Sequence, residues 1–198
     1  GSLGYGAGRA MSIAEDLYTA GYITYPRTDN TVYPEDLEPE ELLSALGGHA
    51  EFADNVEALL EQESVEPTAG DTETTDHPPI HPTGELPTAS DLSDDEWELY
   101  ELVIRRFMAT CAEPAEWAHL SVVAAVDDGD GDPLRLKANG KRLLSPGYLT
   151  VYPYSDASER IVPAVSEGES LSVSDVHLDA KETQPPRRYG QSRLIETM

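Results

Sequence analysis

The sequence predicts an α+β chain, with a helical unit over about residues 1–115 followed by an antiparallel, strand-rich portion over about 116–183. Three observations carry this. Apolar residues recur at helical spacing in several stretches before residue 113. At about residue 116 the pattern changes to β-branched runs separated by acidic turns. No segment repeats, and 198 residues suffice to bury a core as one large or two small domains.

Over residues 10–20, Ala10, Met11, Ile13, Ala14, Leu17 and Tyr18 build one apolar helix face, and Gly21 is placed to end it. Tyr22–Tyr25 is a short β-rich run. Pro39 opens a helix to about Leu46, closed by Gly47-Gly48. A further helix covers about His49–Glu61, with Phe52, Val56, Leu59 and Leu60 inward. Gln62–Asp91 is rich in Pro, Thr, Glu and Asp and has no period; a loop of that length points to function or partial disorder. Ser93-Asp94-Asp95-Glu96 reads as a capping box. The helix behind it carries Trp97, Tyr100, Val103, Ile104, Phe107 and Met108 on one side and closes near Glu113-Pro114. Trp117–Val126 and Pro133–Ala138 read as strands around the turn Asp127–Asp132, with more strands expected at about 148–153 and 170–178. A helix begins after Tyr189 and the chain stops inside it, as a piece of a longer protein would.

No apolar run approaches the roughly 20 residues of a membrane helix, and no signal-peptide pattern opens the chain. The single cysteine, Cys111, excludes an intramolecular disulfide and a cysteine-based zinc site; within a helix it reads as a buried thiol, at home in a reducing cytosol. Lys and Arg number 13 against 38 Asp and Glu, for a net charge of −25 and a pI near 4.2. Nucleic-acid binders normally carry a basic footprint. Two readings follow. One is an interaction module that avoids polyanions. The other is a halophile's protein, since molar salt screens charge beyond about 3 Å while an acidic surface maintains solubility. Only three lysines (Lys137, Lys141, Lys181), abundant Asp, Glu, Thr and Ala, and acidity spread from Glu15 to Glu196 favour the second.

The chemistry concentrates in Gly21–Asn30. Tyr25 is a candidate oxygen nucleophile toward a phosphodiester, and Arg27 offers a planar fork of donors to the phosphate oxygens. Pro26 between them fixes one backbone angle. By itself this offset also suits a packing tyrosine in a short strand. His77 and His81 form an H-x-x-x-H pair, but Pro78 and Pro79 prevent the helix that would aim both at zinc. Asp127–Asp132 lacks the spacing of a calcium loop and reads as an acidic hairpin turn.

The string Ile23-Thr24-Tyr25-Pro26-Arg27-Thr28-Asp29-Asn30 resembles the active-site motif of type IA DNA topoisomerases, with Tyr25 at the nucleophile's position. Three more segments are similar to motifs of that family, in the family's order. Leu3–Tyr18 matches its helix-turn-helix approach, Asp76–Thr83 its histidine motif, and Gln184–Ile195 a proline-rich lead into a helix. The resemblance implies that Tyr25 attacks single-stranded DNA and becomes linked to a 5′ phosphate. A strand then passes and the break is religated without ATP, relaxing negatively supercoiled DNA. It implies Arg27 as the phosphate clamp and His77 as a second phosphate ligand; His81 receives no role. Thr28, with Asp29, would hold the tyrosine loop, and Thr28, Arg9, Arg187, Arg188 and Arg193 are candidate DNA contacts, the arginines being equally readable as solvated charges. Residues 1–115 would be winged-helix-like, 116–183 part of a gate domain, and 184–198 the start of a further DNA-binding domain. The family's Mg2+ is held upstream by a D-x-D-x-E cluster that this sequence lacks, so the chain is expected to need that N-terminal metal-binding domain and to be inactive alone. The expected setting is the cytoplasm, at the nucleoid of a halophilic archaeon. The rival is a non-catalytic winged-helix DNA-binding or protein-interaction module with a structural Tyr25, which a wide separation of Tyr25 from His77 would favour.

Overall fold

Four helices and one two-stranded antiparallel sheet form in the computed structural model, which describes residues 2–88, 90–127, 129, 131–190, 193, 194 and 197. Helices α1 (Ala7–Thr19), α2 (Pro39–Leu46), α3 (Ala53–Leu60) and α4 (Asp94–Cys111) precede strands β1 (Glu116–Val126) and β2 (Leu134–Ser145), and a 3-10 turn (Gly147–Thr150) follows. The α+β class agrees with the sequence. The chain divides into two units, residues 1–116 with 145–157, and residues 117–144 with 158–198.

In the helical unit the local signals act as their chemistry dictates. Helix α1 starts three residues earlier than its apolar period implies, after a turn at residues 2–3, so a turn and one helix stand where the resemblance implied a helix-turn-helix. It ends at Gly21, whose φ of +86° lets Tyr22 donate its N–H back to the Leu17 carbonyl at 3.0 Å. Pro39 sits at the start of α2, where its missing N–H costs nothing. Helix α3 is shorter than the expected 49–61, because His49–Phe52 forms a separate turn closed by the Phe52 N–H on the His49 carbonyl. At α4 the Glu96 carboxylate accepts the Ser93 hydroxyl at 2.5 Å and the Ser93 N–H at 2.7 Å, which together hold that carboxyl below its ordinary pKa.

Leu17, Leu43, Leu46, Phe52, Tyr100, Ile104, Phe107 and Met108 are sealed in one core, each large apolar side chain contributing about 2 kcal/mol by burial. Cys111 is buried among them, as expected, and burial pushes its thiol up to about 12.

The strand at 148–153 does not form. Tyr148 donates its N–H to the Glu113 carbonyl at 2.9 Å, Val151 and Tyr152 fold back on the Tyr148 carbonyl, and Val151 is buried in the helical core. Tertiary packing overrides a β-rich composition there. The strand at 170–178 is also absent: Leu171, Val173, Val176 and Leu178 lie exposed, their period of two breaks at Asp175-Val176, and they join no ladder. Conversely β2 runs on to Ser145 through Asn139-Gly140, a dipeptide that reads as a turn. The helix expected after Tyr189 lies largely outside the described residues, of which Arg193, Leu194 and Thr197 are helical; the turn at Asp127–Asp132 is likewise only partly described. Among the described residues no helix is long and apolar enough to cross a membrane.

Candidate active site

Two irregular segments run antiparallel and create the site. Thr24 donates its N–H to the His81 carbonyl (2.9 Å), Thr83 donates its own to the Tyr22 carbonyl (3.1 Å), and Ile23 bridges Pro82. Further along, the Thr28 hydroxyl donates to the His77 carbonyl at 3.1 Å. Tyr22 thus faces Thr83, Thr24 faces His81 and Thr28 faces His77 in one register, which sets the histidine motif beside the tyrosine motif.

Prolines at 26, 78, 79 and 82 remove the N–H groups a regular ladder would need, so polar side chains take their place. The Thr24 hydroxyl donates to the Pro79 carbonyl (3.2 Å) and accepts the His81 N–H (3.0 Å). The Asn30 amide donates to the carbonyls of Thr74 and His77, each at 3.0 Å. Thr28 also accepts the Asn30 N–H at 3.1 Å, so this residue ties the tyrosine loop to the histidine loop.

The half-buried ring of Tyr25 lies between two others. Tyr18 of α1 meets it edge-on at 5.2 Å, and the exposed His77 lies 4.6 Å away at a tilt of 52°. Tyr25, Arg27, Thr28, His77 and their neighbours Met11, Asp29, Thr74 and Asp76 line one open cleft of about 700 Å³. The wide Tyr25–His77 separation that would favour a structural tyrosine is not present.

Glu15 pairs with Arg27. Its hydrogen bond and charge, followed by the charge of Tyr25, hold the guanidinium above its ordinary pKa. The carboxylate occupies the fork a phosphate would use, and both side chains are exposed, so the pair is a weak one that an incoming anion can displace. Sequence reasoning missed Glu15, Tyr18 and Met11. The available signal was their spacing: residues 11, 15 and 18 fall on one face of α1, and Glu15 stands between apolar neighbours.

His81 is different in kind. It is buried, 5.9 Å from the ring of Tyr33 and 6.0 Å from that of Phe107, with Nδ1 2.7 Å from the Pro82 carbonyl oxygen, and burial lowers its pKa. It belongs to the core beneath the site. Arg9 is not in the cleft: it pairs with Asp95 at the start of α4 and lies over the Tyr5 ring. Arg187, Arg188 and Arg193 are exposed in the strand unit, with Arg193 5.9 Å from the Tyr189 ring centroid. Among the described residues no three His, Cys, Asp or Glu converge as metal ligands, and Glu15 is engaged by Arg27. The described residues therefore offer no side-chain set that fits a magnesium site.

A family model described as DNA topoisomerase matches residues 1–198. Over 190 residues the chain is 44% identical to DNA topoisomerase 1 of Archaeoglobus fulgidus, covering 96% of this chain and 28% of that protein. It is 34% identical over 195 residues to DNA topoisomerase 1 of Methanothermobacter thermautotrophicus, covering 98% and 26%. To DNA topoisomerase 3-beta-1 of Homo sapiens it is 35% identical over 198 residues, covering 100% and 22%. The chain belongs to the DNA topoisomerase family, in its type IA branch. It spans about a quarter of the length of these relatives.

Proposed function

We propose that this chain carries the nucleophile half of a type IA DNA topoisomerase active site. The observation that carries this is the convergence of Tyr25, Arg27 and His77 on one cleft, with the Tyr25 and His77 rings 4.6 Å apart. The Tyr25 oxygen attacks a backbone phosphorus of single-stranded DNA as its phenol proton leaves. A tyrosyl O–P bond forms, the P–O3′ bond breaks, and the departing 3′ oxygen takes up a proton. The bond energy is retained in the phosphotyrosine, so the reverse step religates the strand without ATP. Arg27, released from Glu15, stabilises the charge building on the phosphate oxygens, a contribution of about 10²–10³ in rate where such a donor is removed. His77 acts as a second phosphate ligand, and Thr28 holds the loop.

For the whole protein the proposal is relaxation of negatively supercoiled DNA in the cytoplasm, at the nucleoid. It includes an upstream metal-binding domain whose magnesium would favour the leaving oxygen. None of the steps above runs through that metal. The helical unit is read as winged-helix-like, the strand portion as part of a gate domain, and residues 184–198 as the opening of another DNA-binding domain. A halophilic archaeal source is supported by the −25 charge and the three lysines. Labelled single-stranded DNA with magnesium is the test: no covalent complex is expected with residues 1–198, and an adduct is expected once the preceding part of the protein is restored. An adduct on the isolated chain would refute this division of labour, and none with the longer protein would refute the catalytic reading.

A further inference from the structure

We propose that the strand unit carries a contact surface for the backbone of single-stranded DNA, built on β2 and the segment beside it. This rests on the DNA reading above but on different residues. Positions 133–155 hold no Asp or Glu, in a chain with 38 among 198 residues, and within them lie Arg135, Lys137, Lys141 and Arg142. Arg160 joins them, exchanging both backbone hydrogen bonds with Lys141 at 2.9 and 3.0 Å. That approach requires Gly140: a Cβ there would lie 2.9 Å from the Arg160 carbonyl oxygen and 3.1 Å from the Val162 Cβ. A cleft of about 240 Å³ results, lined by Lys141, Arg142, Arg160 and His119 with apolar neighbours such as Ile161 and without a carboxylate.

Charge complementarity identifies the occupant. Among the described residues, Arg135, Lys137, Lys141, Arg142 and Arg160 share no ion pair, whereas Arg9, Arg27 and Arg105 are each matched by a carboxylate. The nearby Glu159 carboxylate instead accepts the Leu143 N–H at 2.7 Å. Unpaired cations on an acid-free strand are what a polyanion displaces counterions to reach. Arg135, Lys137 and Lys141 share one face of β2 and extend about 20 Å, the length of about six stacked nucleotides. Exposed Ile161 and Leu120 beside the cations suit the unpaired bases of a single strand, whose faces a duplex hides.

The test is fluorescence anisotropy of a labelled oligothymidylate with the intact 198-residue chain over a KCl series. Arg142→Gln with Arg160→Gln should weaken binding about tenfold at low salt and flatten the log–log salt slope by about 1.4, at roughly 0.7 per lost phosphate contact. Arg135→Gln with Lys137→Gln should act in the same direction and provides the readout if melting shows the first variant misfolded. Arg105→Gln, which removes a cation already paired with Glu101 and Glu51, should leave the slope unchanged. Unchanged affinity and slope in both double variants would overturn the proposal. So would equal binding of duplex, equal displacement by polyglutamate, or increased aggregation as the sole effect, which would mean these charges only guard a strand edge. The Tyr25 adduct measures the catalytic reading separately, and its absence would leave this slope measurement standing.

Discussion

The two units differ in how they handle charge. Residues 1–116 with 145–157 hold four basic against 27 acidic side chains, a net −23; the remainder holds nine against 11, a net −2. Nearly all of the net negative charge therefore sits in the unit that carries Tyr25. Its four cations are engaged locally: Arg9 by Asp95, Arg27 by Glu15, Arg105 by Glu101 and Glu51, and Arg106 over the Tyr152 ring. Among the described residues, the β2 cations of the strand unit meet no carboxylate, although Lys141 lies over the Trp117 ring. A net charge for the whole chain, taken alone, argues against a nucleic-acid partner; distributed over the structure, it leaves one unit strongly acidic and the other nearly neutral.

The largest effect that would sharpen this separation is at Tyr25. In the full-length protein, Tyr25→Phe should abolish the covalent adduct on a denaturing gel while single-strand affinity stays nearly constant. A surviving adduct would put the nucleophile elsewhere. Next in size, Arg27→Lys should lower the cleavage rate by about two orders of magnitude with little change in binding, because an ammonium lacks the planar fork. Single-turnover kinetics would reveal whether the loss falls on binding instead.

Salt distinguishes the units directly, since each contains one tryptophan, Trp97 in the helical unit and Trp117 in the strand unit. From about 0.1 M to about 2 M KCl, screening should raise the unfolding midpoint reported by Trp97 more than that reported by Trp117. Single-tryptophan variants measure each, and equal shifts would break the comparison. At Glu15, Glu15→Gln should tighten single-strand binding a few-fold at low salt by freeing Arg27, and this gain should vanish in an Arg27→Ala background. A gain that persists there would mean Glu15 acts only as a general negative charge.

The smallest effect expected is that of pH on His81. Burial depresses its folded-state pKa below the ordinary value near 6.5, so the unfolded chain binds the proton more readily. The stability contributed by neutral His81 is complete above that value and is lost as pH falls below it, toward the folded-state pKa. Melting of the native chain should decline between about pH 7 and pH 5 more steeply than melting of His81→Asn. Parallel curves would show that the ring does not titrate against the core.

Sequence by itself determined the helices whose apolar period is continuous, the glycine that ends α1, the capping of α4, the buried Cys111 and the motif that sets Tyr25 two residues before Arg27. These are local, decided by spacing and by the chemistry of a few neighbouring residues. Only the tertiary structure decided the rest. Gly147–Thr150 became a 3-10 turn because the Glu113 carbonyl and the helical core were there to receive it and Val151 behind it. Leu171–Leu178 formed no strand because a ladder needs hydrogen bonds to a second segment, and the sheet stops at β1 and β2. His77 reached Tyr25 through pairing across about 50 positions, with threonine and asparagine side chains replacing the bonds that prolines withhold. Whether a charged residue is paired or free is a property of what faces it. That is why Glu15 on Arg27, and the β2 cations that meet no carboxylate among the described residues, were invisible in a one-dimensional charge count.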